Sequence, residues 1–230
     1  MAKRRVPNLL ALAVLACVAE RPMHPYEIST TLRTRGKEGS IKLNFGSLYS
    51  VVESLAKHGL IEIQGTVRDG KRPERTIYAI TDAGRAELED WLAELLSTPK
   101  KEYTSLEAAL SLAAALAPDE VSRLLSARAA RLRMEIGSVD AGLAYTVEMG
   151  LPELFVIEEQ YRKALMEAEL AFVTSLATRI DKNELGGSLW WRRVHELQEQ
   201  GISFEEIARD PVKHLGEEAA EIAPFLNPPG

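Results

Sequence analysis

Positive charge is the first chemistry the sequence offers. Arg68, Lys71, Arg72 and Arg75 surround a turn of Asp69-Gly70 and Pro73, and Lys3-Arg4-Arg5 form a second basic cluster near the start. Clustered guanidinium and ammonium groups neutralise phosphate and release its counterions, the sequence-independent part of nucleic-acid affinity. Between the clusters, Leu48, Val51, Val52 and Leu55 recur at i, i+3, i+4 and i+7, the spacing of a helix with one buried stripe. The opposite side carries Gly46, Ser47, Ser50, Ser54 and Lys57, small and polar enough to approach base edges closely. Tyr49 stands at the flank of the stripe. Its ring either belongs to the core or packs at the edge with its hydroxyl toward phosphate.

Other chemistries find little support. His24, His58, His195 and His214 lie in separate elements, none at ligand spacing from Cys17 or from one another, so no metal site is expected. No glycine-rich phosphate loop follows a strand, and Gly-x-Ser-x-Gly is absent. Cys17, the single cysteine, sits in an apolar run as a small core residue and rules out an intramolecular disulfide. Neither catalytic residues nor a cofactor are expected.

The elements that must position the basic residues follow in order. Residues 9–19 form an apolar first helix; His24-Pro25-Tyr26-Glu27 opens a second, with proline suited to its first position. Ile41-Lys42-Leu43 is either a short third strand or the lead into the helix at 45. After that helix, His58-Gly59-Leu60 supplies a stop, with Gly59 suited to a left-handed cap. The period then changes to two: Ile61, Ile63, Gly65 and Val67 share one side, and Thr76 to Thr81 return after a basic tip. A helix followed directly by a basic hairpin is the arrangement of a winged helix. Its helix would enter a major groove, with the wing on adjacent backbone.

A fourth helix from Thr81-Asp82-Ala83-Gly84 places Leu88, Trp91, Leu92 and Leu95 on one side and ends near Pro99. Residues 105–116 read as another helix. Two long ones follow, with stripes of Val121, Leu125, Leu132, Ile136, Val139, Leu143 and Val147, then Leu154, Ile157, Tyr161, Leu165, Ala168, Phe172 and Leu176. A break at Gly150-Leu151-Pro152 makes them an antiparallel pair, with stripes long enough to bury against another copy. From Asp181 the register is lost. Asn183 to Ser188 resembles a linker, Trp190 and Trp191 are expected to dock on the helical pair, and Ser203 caps a short helix. The expected fold is mainly α: an N-terminal winged helix-turn-helix with a small β-hairpin wing (1–98), a helical dimerisation domain with two long antiparallel helices (99–181), and a helical extension of unassigned role (182–230).

The net charge of −6 over 230 residues conceals an asymmetry. Residues 1–80 hold 13 Lys and Arg against 7 Asp and Glu; residues 81–230 hold 15 against 27. A basic part joined to an acidic remainder is expected where only one part meets phosphate. The apolar stretch Leu9–Ala19 after Lys3-Arg4-Arg5 is short for a signal and is closed by Glu20-Arg21-Pro22, so a cytoplasmic protein without a membrane partner, nucleoid-associated when bound to DNA, is expected.

Several segments together resemble the PadR family of transcriptional regulators. They are His24-Pro25-Tyr26-Glu27-Ile28, Gly46-Ser47-Leu48-Tyr49, His58-Gly59-Leu60-Ile61 and Tyr78-Ala79-Ile80-Thr81-Asp82-Ala83-Gly84. Pro25 stands where the family usually has glycine, and Ser50 where it usually has proline, on the side turned to the groove. The resemblance implies a homodimer on a pseudo-palindromic operator in double-stranded DNA, usually a repressor, with a helical C-terminal dimerisation domain. Some members of the family it resembles release DNA on binding a small aromatic effector at or near the dimer interface, and Trp91 is a candidate wall for such a pocket. The DNA-binding set is Lys3, Arg4, Arg5, Ser47, Tyr49, Ser50, Ser54, Lys57, Arg68, Lys71, Arg72 and Arg75. The rival reading is a winged-helix module that holds a protein partner without reading DNA.

Overall fold

The structure, a computed structural model, describes residues 4–41, 45–67 and 75–217. The chain divides into two compact units, residues 1–101 and 102–230.

The first unit is built around α1 (Leu9–Glu20), which buries Leu10 to Leu15, Cys17 and Val18. A helix apolar on nearly all sides must be covered on nearly all sides. It is surrounded by α2 (Pro25–Thr34), α3 (Phe45–Lys57), β2 (Arg75–Ile80) and α4 (Asp82–Ser97). Asn8 caps α1 by accepting the Leu10 amide at 2.9 Å. His24 caps α2: its Nδ1 accepts the Tyr26 amide at 3.1 Å, and Glu27 reaches back to the His24 amide at 3.0 Å. This reciprocal pair satisfies two amides that the first turn would otherwise leave unbonded. On α3, Leu48, Val51, Val52 and Leu55 are buried together, as their spacing predicts.

The wing pairs β1 (Ile61–Val67) with β2 antiparallel, Ile61 opposite Ile80 and Ile63 opposite Tyr78. A bulge at Gln64 then shifts the register, so Gly65 faces Ile77. Strict alternation predicts Ile63 on the same covered side as Ile61. Instead Ile61 is 1% exposed and Ile63 62%, because the core ends beneath the first pair and the strands project beyond it. Met23 adds an isolated bridge to Tyr78, its amide and carbonyl each bonded at 3.0 Å. Of the candidate third strand Ile41-Lys42-Leu43, residues 42 and 43 lie outside the described residues.

Thr81 and Gly84 tie the wing, α4 and the end of α3 together. Thr81 caps α4 by accepting the Gly84 amide at 3.0 Å, and its hydroxyl lies 2.7 Å from the Gly59 carbonyl as donor. A Cβ on Gly84 would sit 1.9 Å from the Leu60 carbonyl oxygen. Only glycine allows this approach.

The second unit opens with α5 (Ser105–Ser111) and a 3-10 turn over Ala113–Ala115, so the helix expected to 116 is interrupted at Leu112. Its frame is α6 (Pro118–Glu148) and α7 (Ile157–Asp181). Ser122 meets Ala177, Arg128 meets Glu169 and Asp140 meets Lys163, a pairing that only antiparallel helices give. The buried face of α7 is not the stripe read from the sequence. Val173, Ala177 and Ile180 are buried, with Met166 and Leu170 packed beside them, while Leu154, Ile157, Tyr161, Leu165 and Phe172 are exposed. The helix carries two apolar faces, and α6 covers the one that holds Val173, Ala177 and Ile180.

Three shorter helices complete this unit: α8 (Ser188–Glu199), α9 (Phe204–Arg209) and α10 (Pro211–Leu215). Trp191 is buried with Val121, Leu125 and Ile180, as expected of a docked tryptophan. Its indole N–H donates to the Leu116 carbonyl at 2.9 Å, and His195 Nε2 donates to that of Ala114 at 3.0 Å. Arg192 adds an ion pair to Asp119 at 2.6 Å.

Candidate nucleic-acid interface

Helix α3 presents one face to the core and the opposite face to solvent. Gly46, Tyr49, Ser50, Glu53 and Lys57 are exposed, whereas Ser47 and Ser54 are half-buried along one flank. At 100° per residue, Gly46, Ser50, Glu53 and Lys57 fall within one narrow arc, and Tyr49 stands at its other border. Tyr49 is 51% exposed, so the core alternative for its ring is set aside. Ser50 Oγ donates to the Ser47 carbonyl at 2.8 Å, which leaves its lone pairs directed outward. Glu53, which sequence reading passed over, is exposed within the same arc. A carboxylate at such a position can accept from the exocyclic amine of cytosine, and an ammonium at the helix end can pair with phosphate.

The end of α3 gathers further charge. His58 donates from Nδ1 to the Ser54 carbonyl at 2.7 Å, and Arg5 donates to the His58 carbonyl at 3.4 Å. Arg5 is thus held at the negative end of the helix, on the carbonyl of the residue that follows Lys57. Arg75 opens β2, half-buried, close enough to His24 to help lower the pKa of that imidazole. Burial is the larger cause, and Glu27 opposes both. Lys3, Arg68, Lys71 and Arg72, expected to reach phosphate, lie outside the described residues.

Two residues with expected site roles make other contacts in the fold. Arg4, assigned to phosphate, is spent within the fold: its guanidinium pairs with Glu87 at 2.9 Å, with Asp90 at 3.1 Å and with Glu94, and covers the Trp91 ring at 5.1 Å. Three carboxylates on one helical face, at i, i+3 and i+7, form a socket that holds a cation more firmly than a mobile arm would. Trp91, the candidate wall of an effector pocket, is 5% exposed in the core beneath Arg4 and lines none of the described cavities. A tryptophan on an apolar helical stripe was legible as buried; what covered it was not.

The second unit holds a cavity of about 590 Å³ between α5 and the α6–α7 pair. Leu110, Leu125, Leu132 and Met166 line it, and Arg128, Arg131 and Glu169 stand at its border. Arg128 is paired with Glu169 at 2.5 Å; Arg131 forms no ion pair with the described residues. No group of metal-ligating side chains occurs among the described residues, and no described helix is long and apolar enough to cross a membrane.

Residues 14–90 match the model of the transcriptional regulator PadR-like family. No curated protein matches the chain. Among solved structures, Bacillus subtilis PadR in complex with operator DNA has a similar fold, with TM-score 0.55 and 18% identity over 72% of this chain and 97% of that one. The Vibrio cholerae virulence activator AphA aligns with TM-score 0.55 and 15% identity, covering 75% of this chain and 98% of that one. Bacillus subtilis PadR in complex with p-coumaric acid gives 0.52 and 17%, over 72% of this chain and 99% of that one. These folds are matched almost end to end, while about a quarter of the present chain has no counterpart in them. With α3 exposed beside a two-stranded wing and the match running from α1 into α4, the winged helix of this chain, residues 14–90, is similar to the transcriptional regulator PadR-like family in both sequence and fold.

Proposed function

We propose that the chain acts as a homodimeric repressor whose two α3 helices read a pseudo-palindromic operator. The observation that carries this reading is the exposed arc of α3, small and polar at Gly46 and Ser50, with Lys57 and the docked Arg5 at its end. Gly46, Ser50 and Glu53 approach base edges, Ser47 and Ser54 flank them, and Tyr49, Lys57, Arg5 and Arg75 meet backbone. The tip residues Arg68, Lys71 and Arg72, with Lys3, add sequence-independent affinity. The exposed α7 face of Ile157, Tyr161, Leu165 and Phe172, with Leu154 exposed in the turn before it, supports pairing of two copies, since a monomer rarely leaves so much apolar surface in water. The apolar cavity bordered by Arg131 supports a small aromatic effector in place of the Trp91 pocket first expected.

Binding should be tested with purified chain and genomic DNA fragments. The expected result is a dimer that protects two half-sites about 10 base pairs apart, or a multiple of that, with affinity falling steeply with salt. A monomer indifferent to duplex DNA at low salt would overturn the reading. It would favour the rival, a module that binds a protein partner through the same face. Reporter expression with and without the chain gives the sign of regulation. Since AphA, of similar fold, is an activator, that sign depends on where the operator lies relative to the promoter.

A further inference from the structure

Helix α5 has seven residues and buries no side chain completely, and neither does the 3-10 turn after it. A helix so short does not hold its shape in water unless something packs on it. Yet this stretch is one wall of the cavity of about 590 Å³: Leu110, Ala113 and Leu116 line it from this side, Leu132 and Met166 from α6 and α7. Three residues of α8 reach the wall. Trp191 Nε1 donates to the Leu116 carbonyl at 2.9 Å, and His195 Nε2 to the Ala114 carbonyl at 3.0 Å. A carbonyl oxygen only accepts, so His195 must carry its proton on Nε2. Arg192 pairs at 2.6 Å with Asp119 in the first turn of α6. Residues 191, 192 and 195 lie within about 100° of one another on their helix. Their partners, between residues 114 and 119, all belong to the passage from α5 into α6. The Trp191 ring is not among the lining side chains; it is buried in the cluster that holds Val121 and Leu125, which are. Helix α8 therefore supports the wall from behind and takes up none of the space inside.

We propose that α8 is a brace for this cavity: Trp191, Arg192 and His195 are positioning residues that hold the wall at 113–116, and filling of the cavity and docking of α8 stabilise each other. The proposal rests on the reading of the cavity as an effector site. A wall already in place costs an arriving ligand no ordering, whereas a loosened wall lowers apparent affinity by the fraction of chains in which it is formed. By linkage, a ligand that favours the held wall favours the docked helix to the same extent. The helices past α7 thereby tune effector affinity, a role separate from reading DNA.

The test uses the full chain, hydrogen exchange resolved by peptide, and naphthoate as probe, an apolar ring pair whose single negative charge suits the leucines and Arg131. Arg192 and His195 are partly exposed, so their variants leave the buried cluster intact. Without probe, His195→Leu should speed exchange at 112–117 about fivefold, the loss of one hydrogen bond, and leave α7 unchanged. His195→Gln, whose side-chain amide can donate from near the Nε2 position, should restore the wild-type rate, which a role in packing alone would not predict. Naphthoate should slow exchange at 106–117 and at 188–197 together. The double variant Arg192→Ala/His195→Leu should weaken its binding about three- to tenfold and lose the protection at 188–197. Unchanged exchange at 112–117 in His195→Leu, or equal rates in the Leu and Gln variants, would overturn the brace. So would equal naphthoate affinity in wild type and double variant with 106–117 still protected, an outcome that leaves the effector reading standing. If naphthoate protects neither segment, the effector reading falls and the coupling falls with it.

Discussion

Gly84→Ala and Gly137→Ala are the same chemical change on two helices, and the structure assigns them opposite signs. At Gly84 the added Cβ would lie 1.9 Å from the Leu60 carbonyl oxygen, 2.9 Å from its carbon and 3.0 Å from Ile80 Cγ1. The obstacle is backbone, so α4 and the α3–β1 turn must separate by about 1 Å even to reach the 3.0 Å limit for real Cβ atoms. That carbonyl also accepts the Thr81 amide at 3.1 Å, so separation strains the bond that joins β2 to the turn. Overpacking of this kind costs about 1–3 kcal/mol and a weakened hydrogen bond about 1 kcal/mol, against about 1 kcal/mol gained from helix propensity. The net expectation is a loss of about 1–3 kcal/mol, or about 4–8 °C in midpoint for each kcal/mol in a unit of this size. At Gly137 a Cβ meets nothing within 4 Å, so alanine should gain about 0.4–1 kcal/mol by restricting the unfolded chain. Hydrogen exchange resolved by peptide separates the two units. Gly84→Ala should speed exchange in α1, α3 and α4 and leave α6 and α7 unchanged. Wild-type stability for Gly84→Ala, or a loss appearing in α6 and α7, would refute the reasoning.

Three further outcomes follow from particular groups. His24 caps α2 only while Nδ1 keeps its lone pair, and burial followed by Arg75 holds its pKa below the ordinary value of about 6.5. The neutral form is therefore favoured by folding: its contribution is complete above the ordinary pKa and is lost as pH falls through that value and then the depressed one. A cap of about 1 kcal/mol should fade below pH 6 in thermal melts, while His24→Asn, which caps without titrating, should abolish that slope. Burial pushes the Cys17 thiol up to about 11, so iodoacetamide at pH 8 should leave it unmodified until the first unit unfolds; labelling of the native chain would contradict its place in the core. On DNA, Lys57→Ala should weaken all sequences alike and reduce the salt slope by about one, whereas Glu53→Gln should relax preference at one base pair. Loss confined to a single position for Lys57→Ala would move that residue from backbone to base.

How far the sequence could be read depends on how local each interaction is. The stripe of Leu48, Val51, Val52 and Leu55, the change of period at Ile61 and the cap at Thr81 are short-range patterns, and each is present in the structure. The stripe on α7 failed because the helix has two apolar faces, and periodicity alone does not say which one meets α6. Leu165 and Phe172 are on one face and Val173, Ala177 and Ile180 on the other, both spaced at threes and fours, and only the second is buried. Arg4 failed for a related reason. A basic residue near the chain start looks mobile, and its socket of Glu87, Asp90 and Glu94 lies more than 80 residues away, visible only once α4 is folded against it. Ser188 gave no signal either, since a Gly-Gly-Ser run has the composition of a linker whether or not its hydroxyl is buried.

Fixed points collect at the C-terminal end of α3. Arg5 binds the His58 carbonyl, His58 binds back to Ser54, Thr81 holds Gly59 and Leu60, and Gly84 rests on the Leu60 carbonyl. Three successive residues, His58, Gly59 and Leu60, are thereby held by the N-terminal arm, the wing strand and α4 at once. The φ of 71° at Gly59 makes the turn that allows it. A helix pinned at its C-terminal end keeps its azimuth, so Ser50, Glu53 and Lys57 stay turned to the same side while the wing strand starts from the same anchor. Helix and wing therefore share one anchor. Any substitution that loosens the Leu60 anchor should lower affinity for every DNA sequence in proportion, without changing which sequence is preferred.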